Sequence, residues 1–225
     1  MGFSAIPERR RPRRHGFEPT LDRRARSKHS RVVTPTYWRT RGYLPHRDES
    51  RLTQHIVFNL ADAFSRARPK PTNPDEWLPW ADQHLDAGYG ERLLHKSENA
   101  AIVERCLLKE HGVRYALAAW CIMPNHVHVL VEQFPEHKLS SVLQTWKSVT
   151  AHGINEREGR RGVVWQREYF DRFMRTEEQF STTVRYIENN PVKAGLVERA
   201  EDWRFSSAWS GWRQDDAGEG TGAPG

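Results

Sequence analysis

Two apolar strands joined by a single turn constrain this chain more than any other feature. Tyr115 to Met123 (YALAAWCIM) is apolar at odd and even positions alike, the pattern of a strand covered on both faces. Pro124-Asn125 then turns the chain into a second strand, His126 to Glu132. A pair of this kind needs helices to cover it, and we place it at the middle of a sheet. Thr53 to Leu60 (TQHIVFNL) reads as an earlier strand and Tyr169–Arg175 as a later one. Between them lie helical stripes. Ser97 can cap a helix carrying Ile102, Val103, Cys106 and Leu107, with Gly112 as its stop. Leu139, Val142, Leu143, Trp146 and Val149 trace a second helix. Thr176-Glu-Glu-Gln179 has the form of a capping box for a third, on which Phe180, Val184 and Ile187 form the apolar stripe and which Asn190-Pro191 ends. The order β-α-β-β-α-β-α predicts an α+β fold, a ferredoxin-like antiparallel sheet with helices packed on it.

The 225 residues suffice for one ordinary core. We expect a basic, disordered arm over residues 1–48, a folded domain over 49–212 and a frayed Gly/Asp/Ala-rich tail over 213–225. Residues 65–92 contain Pro69, Pro71, Pro74 and Pro79 among tryptophans, which predicts an ordered loop rather than a long helix. Charge is concentrated at the front. Residues 1–42 hold twelve basic side chains against three acidic ones, including Arg9, Arg10, Arg11, Arg13 and Arg14, so the arm is expected to be drawn to phosphate backbones; a solvated tail without a partner is the plainer reading. No apolar run approaches the roughly 18 residues of a membrane span, and no apolar segment follows the basic start, so we expect a cytoplasmic protein. Cys106 and Cys121 fall in apolar stripes and read as core residues with free thiols.

Chemistry is concentrated in His126-Val-His128. Side chains alternate along a strand, so both imidazoles leave one face while Val127, Val129 and Val131 fill the other, and two adjacent imidazoles can chelate one divalent ion. A hydrogen-bonded or surface pair has the same spacing. On the last helix Tyr186 and Asn190 stand four apart and share a face. With Phe180 at zero and about 100° per residue, Val184 and Ile187 fall within about 40° of it, whereas Tyr186 lies near 240° and Asn190 near 280°. The tyrosine is therefore off the core stripe, with its hydroxyl expected to be partly exposed. Tyr169, beside Asp171, is its rival among the tyrosines, but no metal-binding partner stands one helical turn from it. Lys147 next to Trp146, and Gln166 next to Trp165, pair a polar group with an aromatic ring in the manner of DNA contacts, although tryptophans so placed are more often core residues.

PNHVHVLVE, followed by VWQREYFDRFMRTEEQFSTTVRYIENNPVKAGLVERAEDWRFSSAW, resembles the single-tyrosine HUH transposases, and among them the REP-associated tyrosine transposases, over Thr53 to Trp209. The resemblance implies the HUH endonuclease fold and a metal-dependent transposase that cleaves and rejoins single-stranded, hairpin-associated DNA. It makes His126 and His128 metal ligands, Asn190 the third ligand where relatives often have Gln, and Tyr186 the nucleophile. It also implies Mg²⁺ or Mn²⁺ as cofactor and a monomer or a homodimer. Two other functions remain. Nucleotide hydrolases of the histidine-triad kind share the opening of the motif, but Leu130 stands where their third histidine should be. A binding module that kept the fold and the basic arm would bind hairpin DNA without forming a covalent adduct.

Overall fold

The computed structural model of the chain describes residues 38–40, 45–47, 51–64 and 76–211. Two short strands, β1 (Trp38–Thr40) and β2 (Pro45–Arg47), pair antiparallel within the segment read as an arm; the rest of the arm and the tail lie outside the described residues. The main sheet consists of β3 (Thr53–Asn59), β4 (Tyr115–Ile122), β5 (His126–Gln133) and β6 (Phe170–Phe173), in the order β4-β5-β3-β6 with every pair antiparallel. That order, with helices in the crossovers, is the ferredoxin-like arrangement expected from the sequence.

Helices cover both faces. On one, α2 (Ser97–Lys109) and α3 (Leu139–Arg157) place Val103, Leu107, Val142 and Trp146 against Ile56, Phe58, Val127 and Val129. On the other, α4 (Glu177–Glu188) lays Val184 and Ile187 on Ala119, Cys121 and Leu130. The two faces of β5 thus divide as strand alternation requires. Tyr115 ties the first core together: its hydroxyl donates to the Leu107 carbonyl at 2.9 Å and accepts from the Trp146 indole N–H at 2.9 Å. Tyr115→Phe would leave both partners unpaired in a dry core, and is expected to lower unfolding stability by about 1–3 kcal/mol in urea denaturation.

Several local expectations are revised. β4 is an edge strand, not a central one: an apolar pattern reports which faces are covered, and here the lateral edge is sealed separately, by Ile122 N–H donating to Phe205 O at 2.8 Å and Ser207 N–H to Trp120 O at 2.9 Å. The proline-rich segment is not all loop. It contains α1 (Trp77–Asp86), which tolerates Pro79 because a proline in the first turn removes an N–H that has no intrahelical partner. Ser97 is the first residue of α2 rather than its cap, a position held by Lys96. Val149 faces solvent, while Thr150 takes the inward place on α3. The later strand is shorter than expected and leaves Tyr169 just outside it. The Thr176 cap is present, its hydroxyl oxygen accepting from Gln179 N–H at 3.1 Å, but the Gln179 side chain reaches back to Arg175 N–H rather than to residue 176. Asn190-Pro191 does more than end α4. Pro191 cannot donate to the carbonyl of Ile187, so the ladder breaks, and its fixed φ starts a short second helix, α5 (Asn190–Lys193).

Candidate active site around the histidine pair

At the start of β5, His126 and His128 project from one face and meet, with their Nε2 atoms 2.9 Å apart and both side chains fully buried. Asn125, in the preceding turn, fixes the first ring. Its amide nitrogen donates to Leu85 O at 3.0 Å and Tyr89 O at 3.3 Å, so its oxygen faces His126 Nδ1 at 2.7 Å and must accept from it. His126 therefore carries its proton on Nδ1 and presents a lone pair on Nε2. Burial holds the His126 pKa down to about 3, helped by the nearby Lys193 ammonium. Burial, followed by the neighbouring His126, His55 and Lys193, likewise keeps His128 well below the usual histidine range. Both rings are neutral donors at neutral pH.

His55 joins them from β3, where the antiparallel register sets Val57 opposite His128 and leaves His55 on the diagonal. Its Nε2 lies 3.1 Å from His128 Nδ1, with the two rings stacked at 5.4 Å. An imidazole that offers one nitrogen to a metal donates its other N–H to a neighbour, and His55 is placed to accept it. From α4 comes Tyr186, whose ring centre is 6.1 Å from those of His55 and of His128. Its hydroxyl donates to Asp82 Oδ2 on α1 at 2.5 Å. Asp82 is buried, which pushes its pKa up to about 7 against the opposing pull of the Tyr186 hydrogen bond and Lys193. Its other oxygen is 3.9 Å from His128 Nε2; because that ring is neutral, the contact is not an ion pair. Burial and the Asp82 carboxylate together raise the Tyr186 pKa far above the usual phenol value, while the adjacent Asn190 amide acts in the opposite direction. Lys193 Nζ lies 5.6 Å from the centre of the Tyr186 ring and is held by Asp86 Oδ2 at 2.8 Å.

Asn190 is fully buried, and neither amide atom completes a hydrogen bond among the described residues. An orphaned amide in a dry site is costly unless something else satisfies it. No three His, Cys, Asp or Glu side chains among the described residues make a metal group by themselves. The residues fit a divalent ion: two neutral imidazoles close enough to share one, and, next to Tyr186, an Asn190 oxygen that makes no hydrogen bond among the described residues.

The remaining sequence candidates lie elsewhere. Tyr169 lines a cavity between α3 and residues 162–169, next to Lys147, whose Nζ is 5.5 Å from its ring centre. Lys147 is not offered to phosphate, because its ammonium donates to the carbonyls of Gln166, Arg167 and Glu168 at 3.0, 3.2 and 3.1 Å. Burial lowers its pKa to about 8, partly offset by Glu168. Trp165 is a core residue rather than a stacking platform: it packs edge-on against Phe58 at 4.9 Å and donates its indole N–H to Thr150 Oγ1 at 2.8 Å. Gln166 is exposed at the rim of the cavity. Arg9, Arg10, Arg11, Arg13 and Arg14 lie outside the described residues. The sequence reading missed His55 and Asp82. A histidine inside the apolar strand TQHIVFN was the only signal for the first, and Asp82 sits in a segment read as loop.

Residues 91–190 match the family model described as transposase IS200 like. A Haemophilus influenzae homologue of the REP-associated tyrosine transposases is 31% identical over 104 residues, covering 41% of this chain and 58% of the relative. The REP-associated tyrosine transposase of Escherichia coli K12 is 28% identical over 95 residues, covering 41% and 54%. The chain thus spans little more than half the length of the curated relatives it matches. A solved REP-associated tyrosine transposase bound to a REP hairpin aligns with a TM-score of 0.48 at 20% identity, over 79% of this chain and 86% of that one. The matched segment contains His126, His128, Tyr186 and Asn190, but neither His55 nor Asp82.

Proposed function

We propose that this chain, IS200-like over residues 91–190, is a transposase that cuts and rejoins single-stranded, hairpin-associated DNA through a phosphotyrosine at Tyr186. The observation that carries the reading is the juxtaposition of two buried, neutral histidines with Tyr186, whose neighbour Asn190 makes no hydrogen bond among the described residues. Tyr186 Oη gives up its proton and attacks the scissile phosphorus, a P–Oη bond forms as the P–O3′ bond breaks, and the departing 3′ oxygen takes up a proton, so the strand leaves with a free 3′-OH. The ester conserves the bond energy, so attack by a 3′-OH reverses the step and rejoins DNA without ATP. Mg²⁺ or Mn²⁺ held by His126, His128 and Asn190 would supply Lewis-acid polarisation of the phosphate. His55 fixes the tautomer of His128, Asn125 fixes that of His126, and the Lys193 ammonium adds positive charge beside the nucleophile. Among the described residues no helix is long and apolar enough to cross a membrane.

The test is to incubate the protein with end-labelled single-stranded oligonucleotides, with and without a hairpin, in Mg²⁺ or Mn²⁺. A labelled band that persists in denaturing gels and disappears with chelator is the expected result. DNA binding without any such band would leave a binding module instead. In the same preparation, removing residues 1–42 is expected to weaken DNA binding and to flatten its salt dependence by a slope of about 0.7 for each phosphate the arm neutralises. Titrations at several salt concentrations measure this, and an unchanged slope would make the arm a tail without a DNA role.

A further inference from the structure

We propose that Asp82 is a further functional residue of this site, the carboxylate that holds the Tyr186 hydroxyl in place for attack. The inference rests on the phosphotyrosine reading and adds to it a residue from outside the segment matched to the transposase family. Asp82 belongs to α1, 104 positions before Tyr186 in the chain, and only the tertiary structure brings them together. Its Oδ2 accepts from Tyr186 Oη at 2.5 Å, while Oδ1 makes no hydrogen bond. The nearby ammonium of Lys193 is bonded to Asp86 instead.

A carboxylate that is 3% exposed and has one hydrogen-bonded oxygen is an expensive way to fill space, since an apolar side chain of similar volume would cost no desolvation. What the carboxylate provides is direction. The side chain of Tyr186 turns about two torsions, and a half-buried ring on a helix surface has more than one staggered position open to it. An acceptor at the far end of the ring selects one of them, the one that holds Oη at Asp82, whose other oxygen is 3.9 Å from His128 Nε2. In-line attack needs the oxygen within about 3–3.5 Å of phosphorus, and a misplacement of about 1 Å can cost on the order of 10²-fold in rate. Asp82 touches the reacting atom itself. By the same contact α1 becomes part of the active site.

The experiment compares Asp82→Ala, Asp82→Asn, Asp82→Leu and wild type by single-turnover adduct formation on the same oligonucleotide, alongside thermal melting, DNA affinity and Mn²⁺ affinity measured without turnover. Asn keeps an acceptor oxygen in the same place, whereas Ala removes it. The expected result is an adduct rate about 10²-fold lower for Asp82→Ala and within about tenfold of wild type for Asp82→Asn, with DNA and Mn²⁺ affinities within about twofold in both. Asp82→Leu, which keeps the volume and offers no acceptor, is expected to be as slow as Asp82→Ala, and rescue by Asn but not by Leu is the outcome that a general packing role would not produce. An Asp82→Ala protein that forms adduct at the wild-type rate, or an Asn variant no faster than Ala, would overturn the assignment while leaving the phosphotyrosine reading intact. Failure of the wild type itself to form adduct would remove both.

Discussion

Tyr186→Phe is expected to yield a folded protein that binds single-stranded DNA and divalent metal and forms no covalent adduct. Removal of one oxygen atom eliminates the nucleophile and leaves the ring, its edge-on packing with His55 and His128, and the α4 stripe of Val184 and Ile187 unchanged. The sequence alone suggests a cost within about 1 kcal/mol, because it leaves the hydroxyl partly exposed. The structure changes that figure. The hydroxyl is bonded to a buried carboxylate, so its loss leaves Asp82 without that donor and is expected to cost about 1–3 kcal/mol, toward the lower end because a carboxyl whose pKa is already near 7 can take up a proton instead. Denaturant melts check the cost, and mass spectrometry of the trapped wild-type adduct checks the site of attachment. DNA attached at Tyr169 would show that the nucleophile lies against α3, on the other side of the sheet.

His126→Ala and His128→Ala are expected to abolish cleavage, with a loss of at least about 10²–10³-fold, while DNA affinity falls little. Each change removes one of the two neutral nitrogens that face each other at 2.9 Å, leaving one imidazole and Asn190 to hold an ion. Affinity for DNA comes chiefly from phosphate contacts spread over the surface and does not pass through this pair. Secondary costs differ between the two. His126→Ala leaves the Asn125 oxygen without its donor, and His128→Ala leaves His55 without its partner, so each is expected to lose about 1–3 kcal/mol of stability. Calorimetric Mn²⁺ titration should show binding abolished or greatly weakened in both. Metal-dependent cleavage retained by both variants would end the metal assignment.

What the sequence by itself determined is what short-range geometry determines. Alternation along a strand puts His126 and His128 on one face whatever surrounds them, and the structure finds their nitrogens in contact. Helical rotation separates Tyr186 from the Phe180, Val184 and Ile187 stripe, and Thr176 caps its helix because an N-cap is satisfied within four residues. The ferredoxin-like outline, four strands with helices between them, followed from the succession of elements. The tertiary structure alone decided which strand is at the edge. β4 is apolar on both faces because α2 and α4 cover them, and the segment 205–207 that seals its free side is some eighty residues distant. It alone committed Lys147 to three backbone carbonyls. It alone brought in His55, through the register of β3 on β5, and Asp82, through the docking of α1 near β6 and α4. Neither residue has a local signature, because a lone histidine or aspartate gains its meaning from partners that are remote in sequence, and those partners are set by sheet order and packing rather than by period.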